Sequence, residues 1–273
     1  MCRQLSDAPL HRRWKPSVAI KASAVVHLGA AGAMLSGLGW PWAISSLVAN
    51  HAILTIAGLW PRSTLLGSNM RRLSPAACAA REVAITIDDG PNPSVTPAVL
   101  NILDAYQAQA TFFCIGKAVE SHPDLAQEIT RRGHRIENHS YAHRHHFSVM
   151  GMGQLRSEIG RAQEVISQTT GYVPVYFRAP AGLRSPLLDP VLQGLGLQLV
   201  SWTRRGFDTI TKDPQQVLEK LEKNLSVGDI LLVHDGNAAR AADGRPVVLQ
   251  VLPKLLKTLR DRGFRPVSLP DAA

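Results

Sequence analysis

Two adjacent carboxylates, Asp88 and Asp89, close a run of five apolar or β-branched residues, 83–87, and are followed at once by Gly90-Pro91. The run predicts a strand buried on both faces. Two acids beside an apolar interior are costly unless a cation or a proton neutralises them, so the end of this strand predicts a site. His139-Ser140-Tyr141-Ala142-His143 supplies candidate ligands for such a cation. Imidazoles four apart stand one helical turn from each other, a spacing that lets both reach one metal ion from the same side. One carboxylate and two imidazoles leave coordination positions open for water and substrate, as a catalytic site requires.

Elements must bring these groups together. From residue 83 onward apolar strand-like runs alternate with amphipathic stretches, the signature of βα units around a largely parallel sheet. Strands are predicted at 83–88, 110–115, 134–138, 175–178, 197–202, 229–234 and 264–267, and helices at 94–107, 123–132, 155–169, 214–225 and 247–262. Ser94 is expected to cap the first helix, with Pro97 in its first turn, and Gly133 to end the second. Seven strands are one short of a closed eight-stranded barrel, so the expected fold class is α/β, a distorted seven-stranded (β/α) barrel. Asp88 and Asp89 end the first strand, His139 follows the third, Arg178 ends the fourth, Asp208 follows the fifth and His234 ends the sixth. In a βα barrel the carboxyl ends of the strands share one face, so these residues converge on one pocket.

A chain of 273 residues with 45% hydrophobic and 19% charged residues can bury a large core, which excludes a disordered protein. The formal charge of +9 is scattered, and its densest clusters flank hydrophobic segments near the N-terminus, which points to a membrane surface and not to nucleic acid. Cys2, Cys78 and Cys114 have no ligand spacing and imply no disulfide framework; Cys114, inside an apolar run, reads as a buried small hydrophobe. Apolar stretches at 19–35 and 42–60 are separated by Gly37-Leu38-Gly39-Trp40-Pro41, and the second carries Trp at both ends and approaches the roughly 20 residues a bilayer span needs. Asn50 and His51 are discordant within it. The expected organisation is a basic segment and membrane-embedded hydrophobic helical hairpin over 1–70, a linker over 71–81 and a catalytic domain over 82–270. A cleaved leader accounts for the first apolar run but leaves the second unexplained. With Arg12, Arg13 and Lys15 before the hairpin and Arg62, Arg71 and Arg72 after it, the positive-inside rule places the catalytic domain on the cytoplasmic side of the inner membrane.

Thr86-Ile87-Asp88-Asp89-Gly90-Pro91, His139-Ser140-Tyr141-Ala142-His143, Arg178-Ala179-Pro180-Ala181-Gly182 and Leu232-Val233-His234 resemble, in order, the motifs of NodB-homology polysaccharide deacetylases, carbohydrate esterase family four. The resemblance covers residues 82–270. It implies a divalent metal of zinc type held by Asp89, His139 and His143, with Asp88 as general base, against the alternatives of a second ligand or a helix N-cap. It further implies that Arg178 orients the base carboxylate, where the bland reading is a surface ion pair. His234 becomes the general acid toward the leaving amine, with Asp208 holding its imidazolium form; the rival reading of His-Asp-Gly is a turn. The backbone N–H of Ala181 would meet the oxyanion, and Leu232 would line an acyl-methyl pocket or serve as a core leucine. Many relatives carry an aromatic residue where this chain has Ala181 and a Trp where it has Thr209, which weakens the platform for a long polymer; Phe207 and Trp202 are candidate replacements. His145 and His146 read as solvent-facing, and Arg204-Arg205 as either an anion site or a solvated pair.

The expected activity is metal-dependent hydrolysis of an N-acyl group, acetyl first, from an amino sugar in a glycan or glycolipid. The alternatives are a deformylase or deacetylase of a lipid-linked sugar, and a catalytically inactive carbohydrate-binding relative.

Overall fold

The computed structural model describes residues 14–37 and 39–271. Arg12 and Arg13, two of the three basic residues predicted before the hairpin, lie outside the described residues. Two helices open the chain, α1 (Val18–Leu35) and α2 (Trp40–Leu59), and both are long and apolar enough to cross a membrane. Ser17 caps α1 by accepting from the Ile20 N–H, and Gly39, at a left-handed φ of 76°, starts α2. The discordant polar residues pair across the two helices: Asn50 donates to Ser23 Oγ at 3.0 Å and His51 packs edge-on against His27. Val25, Leu28, Val48, Ile53 and Ile56 face outward and exposed. Small residues, Ser23, Ala30 and Ala43, are buried in the hairpin, and large apolar side chains stand on its exposed surface.

The rest of the chain follows the order α3 (Pro75–Ala79), β1 (Glu82–Asp88), α4 (Thr96–Ala105), β2 (Thr111–Cys114), α5 (Gly116–Ser121), α6 (Pro123–Arg131), β3 (Arg135–Asn138), α7 (Met152–Thr170), β4 (Tyr176–Phe177), α8 (Leu188–Gly194), β5 (Gln198–Leu199), β6 (Arg204–Arg205), α9 (Pro214–Glu222), β7 (Ile230–His234), α10 (Val247–Asp261) and β8 (Arg265–Val267). Hydrogen-bonded neighbours run β5-β4-β3-β2-β1-β7-β6, all parallel, and β8 joins β1 on the edge that β2 leaves uncovered. This is the expected distorted seven-stranded (β/α) barrel, curled and open between β5 and β6. Several details differ from expectation, among them the unpredicted short helices α3, α5 and α8. The short β6 was hidden because two arginines carry no strand pattern, and α4 begins at Thr96 with Val95, not Ser94, at its N-cap.

β1 explains how the core positions the site. Val83, Ile85 and Ile87 point outward into the layer of helices, where they join Val99, Leu103, Val251 and Leu255 in the main apolar cluster. Their alternates Ala84, Thr86 and Asp88 point into the barrel, so one strand passes from small and apolar at its base to charged at its end. A second cluster fills the barrel floor: Ala84, Phe113, Tyr176, Val200 and Ile230, closed from below by Leu73, Ala77 and Leu269. Leu73 and Ala77, within the expected linker 71–81, therefore belong to this core, and Met70 packs against it. Met70 bridges to Val200, Thr203 Oγ1 donates to the Arg71 carbonyl at 2.7 Å and Leu73 N–H to the Gly228 carbonyl at 2.9 Å, so this segment spans the opening between β5 and β6.

Candidate active site

Register alone brings the chemistry to one level. Asp88 is paired with Phe113 on one edge of β1 and with His234 on the other, while Cys114, Asn138 and Phe177 align across β2, β3 and β4 one residue further along. The residues just past those positions, His139 and Arg178, therefore meet Asp88 and Asp89 above the barrel floor. Asp88, Asp89 and His139, with His143, Ala181, Leu232 and His234, line a pocket of about 190 Å³, and Arg178 lies buried behind Asp88.

Asp89 Oδ1 lies 3.2 Å from His139 Nε2 and 3.3 Å from His143 Nε2. His139 and His143 do not share a helical turn, contrary to expectation. Ser140 and His143 both have left-handed φ, and the loop is held by Asn138 Oδ1 accepting from Ser140 N–H and Ser140 Oγ accepting from His143 N–H. His139 Nδ1 sits 2.8 Å from the Arg178 carbonyl, so this nitrogen carries the proton and Nε2 turns its lone pair toward Asp89. Asp89 Oδ1 is buried without a hydrogen-bond partner, and the three candidate ligand atoms lie within 4.8 Å of one another. An orphaned carboxylate oxygen facing two imidazole lone pairs fits a divalent cation. Burial pushes the Asp89 carboxyl up, but a hydrogen bond and positive charge from a protonated His139, then charge at His234 and His143, lower it well below the carboxylate range; a cation held between neutral rings would supply the same positive charge. Burial, aided by the neighbouring His139, lowers the His143 pKa and keeps that ring neutral, as a ligand must be.

Arg178 is not a surface pair. It is 1% exposed, its Nη1 donates to Asp88 Oδ1 at 2.6 Å and to Thr86 Oγ1 at 2.9 Å, its Nη2 donates to the Ser201 carbonyl, and its guanidinium lies 4.1 Å from the Phe113 ring centroid. Asp88 is thereby fixed by one oxygen, and its other oxygen stands 3.9 Å from His139 Nε2. Asp208 clamps His234 twice: it accepts from the backbone N–H at 2.7 Å and from Nδ1–H at 2.8 Å. Leu232 shares the inward phase of β7 with His234 and lines the pocket, whereas Leu231 and Val233 belong to the outer cluster.

A family model described as polysaccharide deacetylase matches residues 77–200. Two curated relatives extend the likeness: a peptidoglycan-N-acetylglucosamine deacetylase of Bacillus cereus, 32% identical over 69% of this chain and 86% of its own, and a chitooligosaccharide deacetylase of Azorhizobium caulinodans, 34% identical over 69% and 92%. The chain belongs to the polysaccharide deacetylase family. Among solved structures it resembles a family 4 carbohydrate esterase from Streptomyces lividans in complex with acetate, at 30% identity, TM-score 0.61 and coverage of 68% of this chain and 91% of that one.

In this chain the residues after His234 complete the site; sequence reading weighed Asp235 and Gly236 only as part of a turn and passed over Asn237. Asn237 donates to Asp89 Oδ2 at 2.9 Å, which leaves Oδ1 aimed at the imidazoles. Gly236 passes so close to the Asp89 carbonyl that any Cβ would collide with it. Asp235 accepts from Thr96 Oγ1 at 2.5 Å, and burial, with the Asp89 charge adding, pushes its carboxyl up to about 7. The only advance signal was that they directly follow a candidate acid. Where relatives were expected to place aromatics, Ala181 and Thr209 line the pocket; Trp202 also lines it, while the Phe207 ring is 43% exposed beside it. His145 and His146 are exposed, as expected.

Proposed function

We propose that this chain hydrolyses the N-acyl group, acetyl first, of an amino sugar in a glycan or glycolipid. The observation that carries this reading is the meeting of an orphaned Asp89 oxygen, two imidazole lone pairs, the Arg178-held Asp88 and the Asp208-held His234 in one small pocket. The named activities of the relatives support the substrate class.

Asp89, His139 and His143 would hold a divalent cation, and the two-nitrogen, one-oxygen donor set suits zinc. Such an ion, when bound, supplies Lewis acidity toward a water and the acyl oxygen. Asp88 takes the proton from the attacking water; Arg178 fixes which oxygen is available for it. The acyl carbon passes through a tetrahedral state whose oxygen the Ala181 N–H meets, and Leu232 packs against the acyl methyl. His234 then protonates the sugar nitrogen as the carbon–nitrogen bond breaks, which yields a free amine and a carboxylate. Asp208 keeps His234 in the protonated, correctly oriented form.

A lipid-linked substrate is favoured by a second cavity. A groove of about 1020 Å³ runs between α2 and the barrel flank, with Ile53, Ile56 and Trp60 on one wall and Arg62 and Arg71 on the other. It adjoins the catalytic pocket where Gly182 packs against Pro61 and Trp202. The apolar exterior of the hairpin supports membrane attachment, and the uncharged turn between basic flanks supports a cytoplasmic placement of the catalytic domain. The test compares amine release from N-acetylated chito-oligomers and from membrane lipid extracts, using the full-length protein in lipid bilayers. Release from either substrate supports deacylation, release from lipid alone supports the lipid-linked reading, and no release from both overturns the proposal.

A further inference from the structure

β6 presents two adjacent arginines to opposite sides of the sheet, and their surroundings differ. Arg204 is satisfied: Nε donates to Asp229 Oδ2 at 2.7 Å, and the guanidinium also reaches the carbonyls of Lys223 and Asn224. Arg205 points to the other face and lines the catalytic pocket. Among the described residues no carboxylate lies within ion-pair distance of it, no hydrogen bond engages its side chain, and its Nε is buried without a partner. Its guanidinium is held in place by aromatic faces, 4.9 Å from the Phe207 centroid and 5.4 Å from that of Trp202. Lys220 Nζ approaches the same Phe207 ring at 5.5 Å, so the rim beside Arg205 is also cationic.

The acids of the pocket have partners of their own: Asp88 has Arg178, Asp208 has His234, and Asp89 faces His139 and His143. Arg205 is therefore an uncompensated positive charge at the pocket wall, pre-positioned and partly dehydrated. A planar guanidinium with unused N–H groups in that state is matched by an oxyanion. Resting on the deacylation reading, we infer that Arg205 recognises a phosphate or carboxylate carried by the acylated amino sugar, so that the substrate is anionic next to its acylamino group. A neutral oligosaccharide leaves the Arg205 N–H groups unsatisfied and is the poorer substrate.

The experiment measures kcat/KM on an N-acetyl amino-sugar phosphate, on an N-acetyl amino sugar bearing a carboxylate and on a neutral N-acetyl chito-oligomer, for the wild type, Arg205→Gln and Arg205→Lys. The wild type is expected to prefer one or both anionic substrates by about ten- to a hundredfold, and the preferred anion identifies the source of the charge. In Arg205→Gln the ratio of anionic to neutral kcat/KM collapses toward one, in Arg205→Lys it survives in part, and in the wild type it declines as salt is raised. Calorimetric binding of the deacylated amino-sugar phosphate to wild type and Arg205→Gln gives a second readout that does not need turnover, so a failure of the deacylation reading is separately visible. A wild type without preference, or equal losses on anionic and neutral substrates in Arg205→Gln, overturns the inference and makes Arg205 a packing partner of Trp202 and Phe207.

Discussion

At the scale of single residues, the division of labour rests on how each charge is held. Burial alone would lower the His234 pKa, but the Asp208 carboxylate hydrogen-bonded to it, with the charges of Asp88 and Asp89, raises it. A raised pKa keeps the imidazolium populated to higher pH, so the alkaline limb of a kcat–pH profile lies above the ordinary histidine value of about 6.5. Asp208→Asn removes the partner and moves that limb to lower pH; a limb that stays in place in this variant contradicts the acid assignment. The candidate ligands and the proposed acid could be picked out as one cluster because acids and imidazoles at strand ends have few bland uses. Asn237 was not legible, since an amide in a turn has many, and its role exists only because the turn after β7 lies against Asp89.

At the scale of elements, parallel strands and register did most of the positioning, and the long strands were readable because their buried faces are unbroken. The short ones were not. β3 and β4 share a single backbone register pair, Asn138 with Phe177, and a side chain replaces the rest of the ladder. Glu137, fully buried, accepts from Val175 N–H at 2.9 Å, Tyr176 N–H at 2.8 Å and Tyr172 O–H at 2.8 Å. An acid inside an apolar strand pattern gave no hint of this clip, because its partners, two backbone N–H groups and a tyrosine hydroxyl, lie 35 to 39 positions away. Glu137→Ala strands these donors in the interior and leaves Arg135 without its buried acid, at a cost of about 3–5 kcal/mol. For a domain of this size that predicts a melting temperature lower by roughly 6–20 °C. An unchanged melt shows that the clip carries no load. The same limit hid β6, where the inward and outward roles of Arg204 and Arg205 depend on Asp229 and on the pocket.

At the scale of the whole molecule, the boundary between hairpin and barrel falls earlier than composition suggests, because Leu73 and Ala77 plug the barrel floor and Met70 fills the gap beside β5. Loss of Leu73 alone forfeits about 2–5 kcal/mol. A chain starting at Pro61 is expected to be soluble and to melt cooperatively, one starting at Arg81 to aggregate or melt far lower, and the full-length protein to fractionate with membranes. Equal solubility and melting of the two truncations contradicts a structural role for residues 70–79. The central claim is that Asp89, His139 and His143 hold the metal while Asp88 moves the proton. It is tested most directly by measuring metal content and amine release together for the wild type, His139→Ala and Asp88→Asn, with soluble N-acetylated oligomers and membrane extract as substrates. The account predicts about one metal ion per chain and free amine from the wild type, neither from His139→Ala, and in Asp88→Asn full metal with turnover reduced about a hundredfold or more. Stoichiometric metal in His139→Ala, or undiminished turnover in Asp88→Asn, would contradict it.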